Sequence, residues 1–213
     1  ANVENEIIFL GDSLTAKVDW SELLENYTKQ PIYNFGISGD TTDGILNRLD
    51  QVINFQPSKL FLLIGANDFW NEAKTVDEVL VNYRVIFRKI ISEMPQTKIY
   101  IQSILPVNNQ EYPQILVKNQ DIMAVNQELE KLSSEYNYQY IDLYSQFVNT
   151  ENQLNLEYTN DGVHLTPEGY LHWGNMVKEL VSDWFDDFLS VILCLTHWSE
   201  VSLRDPSLRQ DDK

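Results

Sequence analysis

The sequence predicts an α/β domain: a three-layer α/β/α fold around a five-stranded parallel sheet. Five short β-rich runs alternate with longer segments of helical period, as expected for strands joined by crossover helices. The middle runs are apolar at consecutive positions, which is typical of strands covered by helices on both faces. The length of 213 residues fits a single core.

The strands and helices follow in strict alternation along the chain. The strand runs are rich in β-branched and aromatic residues and lie at 6–10, 31–35, 59–65, 98–104 and 138–143. Predicted helices lie at 13–27, 41–54, 75–93, 121–136 and 167–189. The last helix carries an apolar stripe expected to pack on the sheet, made of Trp173, Val177, Leu180, Trp184 and Phe188.

The alternation predicts one domain over residues 1–189. Residues 190–213 have no place in it and end in a polar, charged run, so we expect an appended C-terminal tail, whether native or added. The lone Cys194 falls in this tail and has no cysteine in the chain with which to form a disulfide.

The charge of the chain excludes several kinds of partner. With 32 acidic and 15 basic residues the net charge is −17, which disfavours nucleic acid and anionic lipid surfaces. The longest apolar run, residues 188–195, is too short to span a bilayer, so we expect no stable membrane insertion.

The cytoplasm is the default location expected for this protein. Secretion stays open because the chain begins with Ala1 rather than Met.

Glycines and polar residues follow the strands, where ligands bind in an open parallel sheet. The four segments are 11–14 (GDSL), 36–42 (GISGDTT), 65–68 (GAND) and 161–164 (DGVH). Taken alone, each reads as a turn or a helix cap. Together they place a hydroxyl, a carboxylate and an imidazole at one edge of the sheet.

This combination suits nucleophilic catalysis. A serine hydroxyl needs a base to take its proton, and that base needs a third group to orient it. Ser13, His164 and Asp161 are the candidates for these three roles. The backbone N–H groups of Ser13 and Gly39, with the Asn67 amide, are candidate oxyanion donors. The other two histidines, His172 and His197, are interpreted as structural or surface residues.

Bulky residues near these segments are expected to meet the substrate. The candidate substrate-binding residues are Asp12, Trp70, Leu105 and Val163. If Phe69, Pro106 and Val107 also face Ser13, they crowd the acyl side of the site. The chain also lacks a long insertion that would build a lid, so small acyl groups are favoured.

The four segments resemble the four blocks of the SGNH, or GDSL, hydrolase family, named for a serine, glycine, asparagine and histidine. The similarity covers about residues 6–189, and "GISGDTT", "LLIGAND" and "SILPV" are most similar to its platelet-activating-factor acetylhydrolase and bacterial acylhydrolase branch. This resemblance implies a flavodoxin-like sheet and ester hydrolysis through an acyl-serine intermediate, with no metal or other cofactor. The G-x-S-x-G elbow of α/β-hydrolases is absent.

Several interpretations remain open at this stage. The first is a serine esterase acting on short acyl or acetyl esters of small molecules, with a homodimer left open. The second is a lysophospholipase or long-chain thioesterase of the same family. Non-catalytic alternatives are a flavodoxin-like ligand-binding module, or a carbohydrate-recognition protein in which Trp70 stacks on sugar.

Overall fold

The computed structural model describes residues 4–182, and it confirms the predicted α/β fold with five parallel strands. The strand order is β2-β1-β3-β4-β5, the flavodoxin-like order. The strands are β1 (Glu4–Gly11), β2 (Ile32–Gly36), β3 (Pro57–Leu63), β4 (Lys98–Gln102) and β5 (Gln139–Ile141).

Eight helices within the described residues connect and cover these strands. They are α1 (Ser13–Ala16), α2 (Trp20–Leu23), α3 (Thr42–Phe55), α4 (Ala66–Asn71), α5 (Val76–Glu93), α6 (Asn119–Glu135), α7 (Tyr144–Phe147) and α8 (Pro167–Val181). The order of connections reverses at the β1–β3 pair, so the loops after these neighbouring strands flank the crevice where ligands bind in such sheets.

The sheet buries both faces, because neighbouring residues of a strand point to opposite sides. On β1, Ile8 and Leu10 pack in one cluster with residues of α3, α5 and α6. Ile7 and Phe9 pack in a second cluster with residues of α2, α7 and α8. Burial on both faces explains why the middle strands are apolar at consecutive positions.

A row of stacked aromatic rings crosses the second face. Phe9 and Phe61 are paired in register on β1 and β3, with ring centroids 4.6 Å apart. Tyr100 on β4 continues the row at 4.4 Å from Phe61, and Trp20 of α2 stacks on Phe9 at 4.0 Å. This row fixes α2 against the sheet, and with it the segment that follows β1.

The helix predicted at 13–27 is wrong in detail, because it is broken into α1 and α2. The carbonyl of Thr15 accepts hydrogen bonds from Trp20 Nε1 (3.0 Å) and Asn34 Nδ2 (2.9 Å). Asp19 then starts α2 by accepting from the backbone N–H of Ser21 at 3.0 Å. Side chains thus end α1 after one turn.

Helices α4 and α7 were not predicted, and they lie in segments whose sequence is typical of loops. In α8, Trp173 and Val177 are buried against the sheet, as predicted. Trp184, Phe188, Cys194, His197 and the proposed boundary at residue 189 lie outside the described residues. No helix within residues 4–182 is both long and apolar enough to cross a membrane.

Candidate active site

Ser13 is the first residue of α1, and only Asp12 separates it from the end of β1. Asp12 caps this helix, since its carboxylate accepts a hydrogen bond from the Leu14 N–H at 2.9 Å. Gly11 is required by close packing: a Cβ at this position would lie 2.3 Å from the Leu63 carbonyl oxygen. The strand end, the glycine and the cap together hold the Ser13 hydroxyl at the carboxyl edge of the sheet.

The structure brings Ser13, His164 and Asp161 into one hydrogen-bonded chain. Ser13 Oγ lies 3.0 Å from His164 Nε2, across 151 positions of sequence. His164 Nδ1 lies 2.7 Å from Asp161 Oδ2. A carboxylate only accepts, so the proton of a neutral imidazole lies on Nδ1 and Nε2 accepts from the serine hydroxyl.

The Asp161 carboxylate also holds its own loop. Its Oδ1 accepts the backbone N–H of His164 at 2.7 Å and that of Val163 at 2.9 Å. Burial alone would raise the pKa of Asp161, but the hydrogen bonds from the His164 side chain and from these two N–H groups outweigh it and lower the pKa to about 2. Asp161 is therefore ionised throughout the physiological pH range.

The two other candidate oxyanion residues, Gly39 and Asn67, line the same cavity as Ser13. Gly39 has a φ of +79°, a left-handed conformation that glycine adopts without strain. Asn67, in the first turn of α4, donates from Nδ2 to the Asp40 carbonyl at 3.0 Å, with Asp12 Oδ2 a further 3.5 Å contact. Both residues line a cleft of about 510 Å³ with Ser13 and His164, here called the catalytic cleft.

Two of the four predicted substrate-binding residues line this cleft, and two do not. Trp70, 44 % exposed, and Val163 form part of its wall. Leu105 is 2 % exposed in the second core cluster, so it does not reach the cleft. Asp12 is 1 % exposed, and its carboxylate caps helix α1 rather than lining the cleft.

The predicted crowding by the segment after β4 is also wrong. Pro106 and Val107 are buried, and Phe69 is half-buried against the first core cluster. The segment turns inward because Asn119 pairs with the backbone of Val107: Oδ1 accepts its N–H and Nδ2 donates to its carbonyl, both at 2.8 Å. The Asn119 side chain thus makes the two hydrogen bonds that a neighbouring strand would make with the backbone of Val107. This pairing holds Pro106 and Val107 in the core.

Asp12 is a buried carboxyl between other acids. Burial raises its pKa to about 7; the Leu14 N–H opposes this, while the charges of Asp40 and Asp68 add to it. Within residues 4–182, Asp12 forms no salt bridge, because Arg48 is paired with Asp40 at 2.7 Å. Asp12 is thus a pH-sensitive group directly behind Ser13.

Polar residues that were not predicted as part of the site connect its loops by hydrogen bonds. Arg48 joins the first two loops, because it binds Asp40 and donates to the Gly11 carbonyl at 3.1 Å. Asp68 joins the second and third loops by accepting from the Thr42 N–H at 2.9 Å. Other residues of the cleft wall that were not predicted are Lys17, Ser38, Asn71, Gln114 and Ile115.

Comparison with known proteins decides the family. The profile of the GDSL-like Lipase/Acylhydrolase family matches residues 9–171, most of the chain. The chain belongs to this family. It is therefore a hydrolase of the kind that acts on esters, and the family matched is the one that the four sequence blocks indicated.

Similar proteins agree with this assignment. Human platelet-activating factor acetylhydrolase IB subunit alpha2 is 30% identical over 182 residues, covering 84% of this chain and 76% of that protein. A solved structure from Streptococcus pneumonia is 34% identical with a TM-score of 0.76, covering 84% of this chain and 85% of that one. A GDSL-like lipase from Bacteroides thetaiotaomicron is 26% identical with a TM-score of 0.71, covering 84% and 88%.

Proposed function

We propose that this protein is a serine esterase that cleaves short acyl esters, acetyl esters in particular, through an acyl-serine intermediate. The observation that carries the proposal is the chain of contacts from Ser13 Oγ to His164 Nε2 at 3.0 Å and from His164 Nδ1 to Asp161 at 2.7 Å. Each group lies within hydrogen-bond reach of the next, in the order that activation of a serine needs.

In the proposed first step, Ser13 Oγ attacks the ester carbonyl carbon and its proton passes to His164 Nε2. The carbonyl oxygen becomes an oxyanion, which the N–H groups of Ser13 and Gly39 and the Asn67 amide are proposed to stabilise. Asp161, ionised at working pH, stabilises the imidazolium that forms and keeps its ring oriented.

In the second step, the tetrahedral intermediate collapses. His164 Nε2 returns its proton to the leaving alcohol oxygen, the bond from carbonyl carbon to alcohol oxygen breaks, and Ser13 keeps the acyl group. Water then attacks the acyl-serine while His164 takes a water proton, and collapse releases the carboxylic acid and returns the proton to Ser13.

The preference for short acyl groups rests on two supports. The relatives that match this chain include acetylhydrolases by name. Trp70 and Ile115 form part of the wall of the catalytic cleft, and their bulk limits the room around Ser13. One observation supports the alternative that the enzyme acts on long acyl chains. Leu105 and Val107 are buried, so they do not narrow the catalytic cleft.

The test is a series of p-nitrophenyl esters from acetate to laurate, with Ser13→Ala as the matched variant. We expect kcat/KM for acetate to exceed that for laurate by about tenfold, a difference of ~1.4 kcal/mol in transition-state binding. The variant, lacking one oxygen at the surface of the cleft, should stay folded and lose hydrolysis of every ester.

A flat or rising series of kcat/KM from acetate to laurate, measured below micelle-forming concentrations, supports the lysophospholipase or thioesterase alternative. Substantial activity of Ser13→Ala contradicts the mechanism, and an inactive parent chain supports the non-catalytic alternatives.

A further inference from the structure

A buried ion pair adjoins the candidate oxyanion residues. Arg48 of α3 contacts Asp40, the residue after Gly39, at 2.7 Å, and the two side chains are only 10 % and 9 % exposed. Because desolvation offsets much of the attraction in a buried ion pair, such a pair is explained by what it holds in place better than by a gain in stability.

The Arg48 side chain connects two segments of the site through separate nitrogens. Its Nε donates to Asp40 Oδ2 at 2.8 Å, and its Nη2 donates to the Gly11 carbonyl at 3.1 Å. The same carbonyl accepts the backbone N–H of Ile37 at 3.0 Å. A guanidinium holds its donors in one rigid plane, so the two contacts together fix Asp40 relative to the strand end that carries Ser13.

The backbone of Asp40 in turn holds both candidate oxyanion residues. Its carbonyl accepts the hydrogen bond from Asn67 Nδ2 at 3.0 Å. Its N–H donates to the Ile37 carbonyl at 3.1 Å, which closes the turn that contains Gly39 with its φ of +79°. A displacement of Asp40 would therefore displace the Asn67 amide.

Gly44 gives the Asp40 carboxylate its space. A Cβ at this position would overlap Asp40 Oδ1. Gly44 lies within α3, where alanine is the more favourable residue for the helix itself. Its lack of a side chain leaves room for the Asp40 carboxylate to meet Arg48.

We propose that Arg48 is a positioning residue for the Asn67 amide and that it acts through Asp40. This inference rests on the proposed function, in which Asn67 stabilises the oxyanion. While Arg48 holds Asp40, the Asp40 carbonyl occupies one N–H of the amide and directs the other. Such donors stabilise the transition state best when they are fixed in advance, so a loosened amide should lower kcat rather than raise KM.

A double-mutant cycle with p-nitrophenyl acetate tests the inference. Its members are the parent chain, Arg48→Lys, Asn67→Ala and the double variant. Arg48→Lys keeps the positive charge but not the planar fork. We expect it to lower kcat by about tenfold with KM nearly unchanged. In the Asn67→Ala background the same exchange should change kcat by less than about twofold, because the amide that Arg48 positions is gone.

The same exchange at another arginine is the matched control. Arg84 lies on α5 and pairs with Glu135 at 3.9 Å, with its side chain 45 % exposed. We expect Arg84→Lys to keep the kcat and KM of the parent chain.

Gly44→Ala provides a second cycle that changes no charge. The added methyl group displaces the Asp40 carboxylate from Arg48, so this variant should also lower kcat in the parent background and have little effect in Asn67→Ala. If circular dichroism shows that Arg48→Lys is not folded, the cycle with Gly44→Ala decides.

The cycle separates positioning from a general effect on the fold. An equal loss of kcat with and without Asn67 overturns the inference, because the effect then does not pass through the amide. A change in KM alone, or a parent-like kcat in both Arg48→Lys and Gly44→Ala, also overturns it. All of these results leave ester hydrolysis by the parent chain intact, whereas a parent chain that hydrolyses no ester contradicts the proposed function itself.

Discussion

The Asn67 amide has two hydrogens, and its protein neighbours fully occupy only one of them. One N–H donates to the Asp40 carbonyl at 3.0 Å, whereas Asp12 Oδ2 at 3.5 Å is at the outer limit of a hydrogen bond. An oxyanion in the catalytic cleft is a stronger acceptor than this distant carboxyl oxygen. The second N–H is therefore available when negative charge develops.

Replacing Asn67 with alanine should lower kcat by roughly 10² to 10³ and leave KM nearly unchanged, because we propose that the second N–H acts mainly in the transition state. Steady-state kinetics with p-nitrophenyl acetate measure both constants. Asn71→Ala is the control, since Asn71 lines the same cleft and donates to the Gly39 carbonyl at 3.3 Å. We expect its kcat to fall less than tenfold. An effect of Asn67→Ala on KM alone would make it a substrate-binding residue.

Asp12 should make stability depend on pH. Burial raises its pKa from 3.8 to about 7, so the folded chain holds this proton more tightly than the unfolded chain. Its contribution to the free energy of unfolding is fully present below pH 3.8 and is lost as the pH rises through about 7. The full loss is about 4 kcal/mol, since each pKa unit corresponds to ~1.4 kcal/mol.

Asp12→Asn should remove this dependence while still capping α1, because an amide oxygen also accepts the Leu14 N–H. Thermal unfolding followed by circular dichroism at pH 5 and pH 8.5 measures the difference. The stability advantage of the variant over the parent should be larger at pH 8.5 than at pH 5, because only part of the Asp12 contribution is lost at pH 5. A variant less stable than the parent at pH 8.5 would show that the carboxylate is stabilised in the fold.

At the scale of elements, the first turn of α8 connects stability with catalysis. Thr166 caps this helix by accepting the Gly169 N–H at 3.2 Å, and its own N–H donates to the Tyr158 carbonyl at 2.8 Å. His164 lies two residues earlier, and Asp161 is held in the same loop. The helix start therefore anchors the proposed base, His164, together with the carboxylate proposed to orient it, Asp161.

Thr166→Ala should cost about 1 kcal/mol of unfolding free energy through the lost cap. It should also lower kcat, by less than tenfold, because the His164 loop loses one anchor. Urea unfolding and p-nitrophenyl acetate kinetics measure the two effects. Thr166→Ser keeps the hydroxyl and should restore both values. Equal stability of the alanine variant and the parent would show that the cap contributes nothing here.

The sequence predicted the elements that depend on local pattern. All five strands were predicted, because runs such as 59–65 have consecutive apolar positions, here 60–64, that are buried on both faces. The break after α1 was missed, since it depends on Asn34, a residue of β2 that reaches the Thr15 carbonyl. The short helix α4 was missed because the GAND segment is also typical of a turn.

At the scale of the whole molecule, the strand order brings distant segments to one edge. The candidate triad was identifiable from sequence because Asp161 and His164 lie three residues apart and only Asp12 separates Ser13 from the end of a strand. A cavity of about 780 Å³ between the α1–α2 connection and the start of α8 was not identifiable, because its lining comes from segments that are distant in sequence. Leu105 was wrongly assigned to the cleft, because its burial also depends on how elements distant in sequence pack together. In the structure its side chain is buried in the core.

The central claim is that Ser13 is a nucleophile activated by His164, and covalent labelling tests it most directly. The folded parent chain, Ser13→Ala and His164→Ala are each treated with a fluorophosphonate, followed by intact mass measurement and peptide mapping. Activated serines form a stable adduct with such reagents because the hydroxyl displaces the fluoride. We predict one adduct per chain, on the peptide that contains Ser13, none in Ser13→Ala, and strongly slowed labelling in His164→Ala. An adduct at another residue, or labelling of Ser13→Ala at the parent rate, would contradict the account.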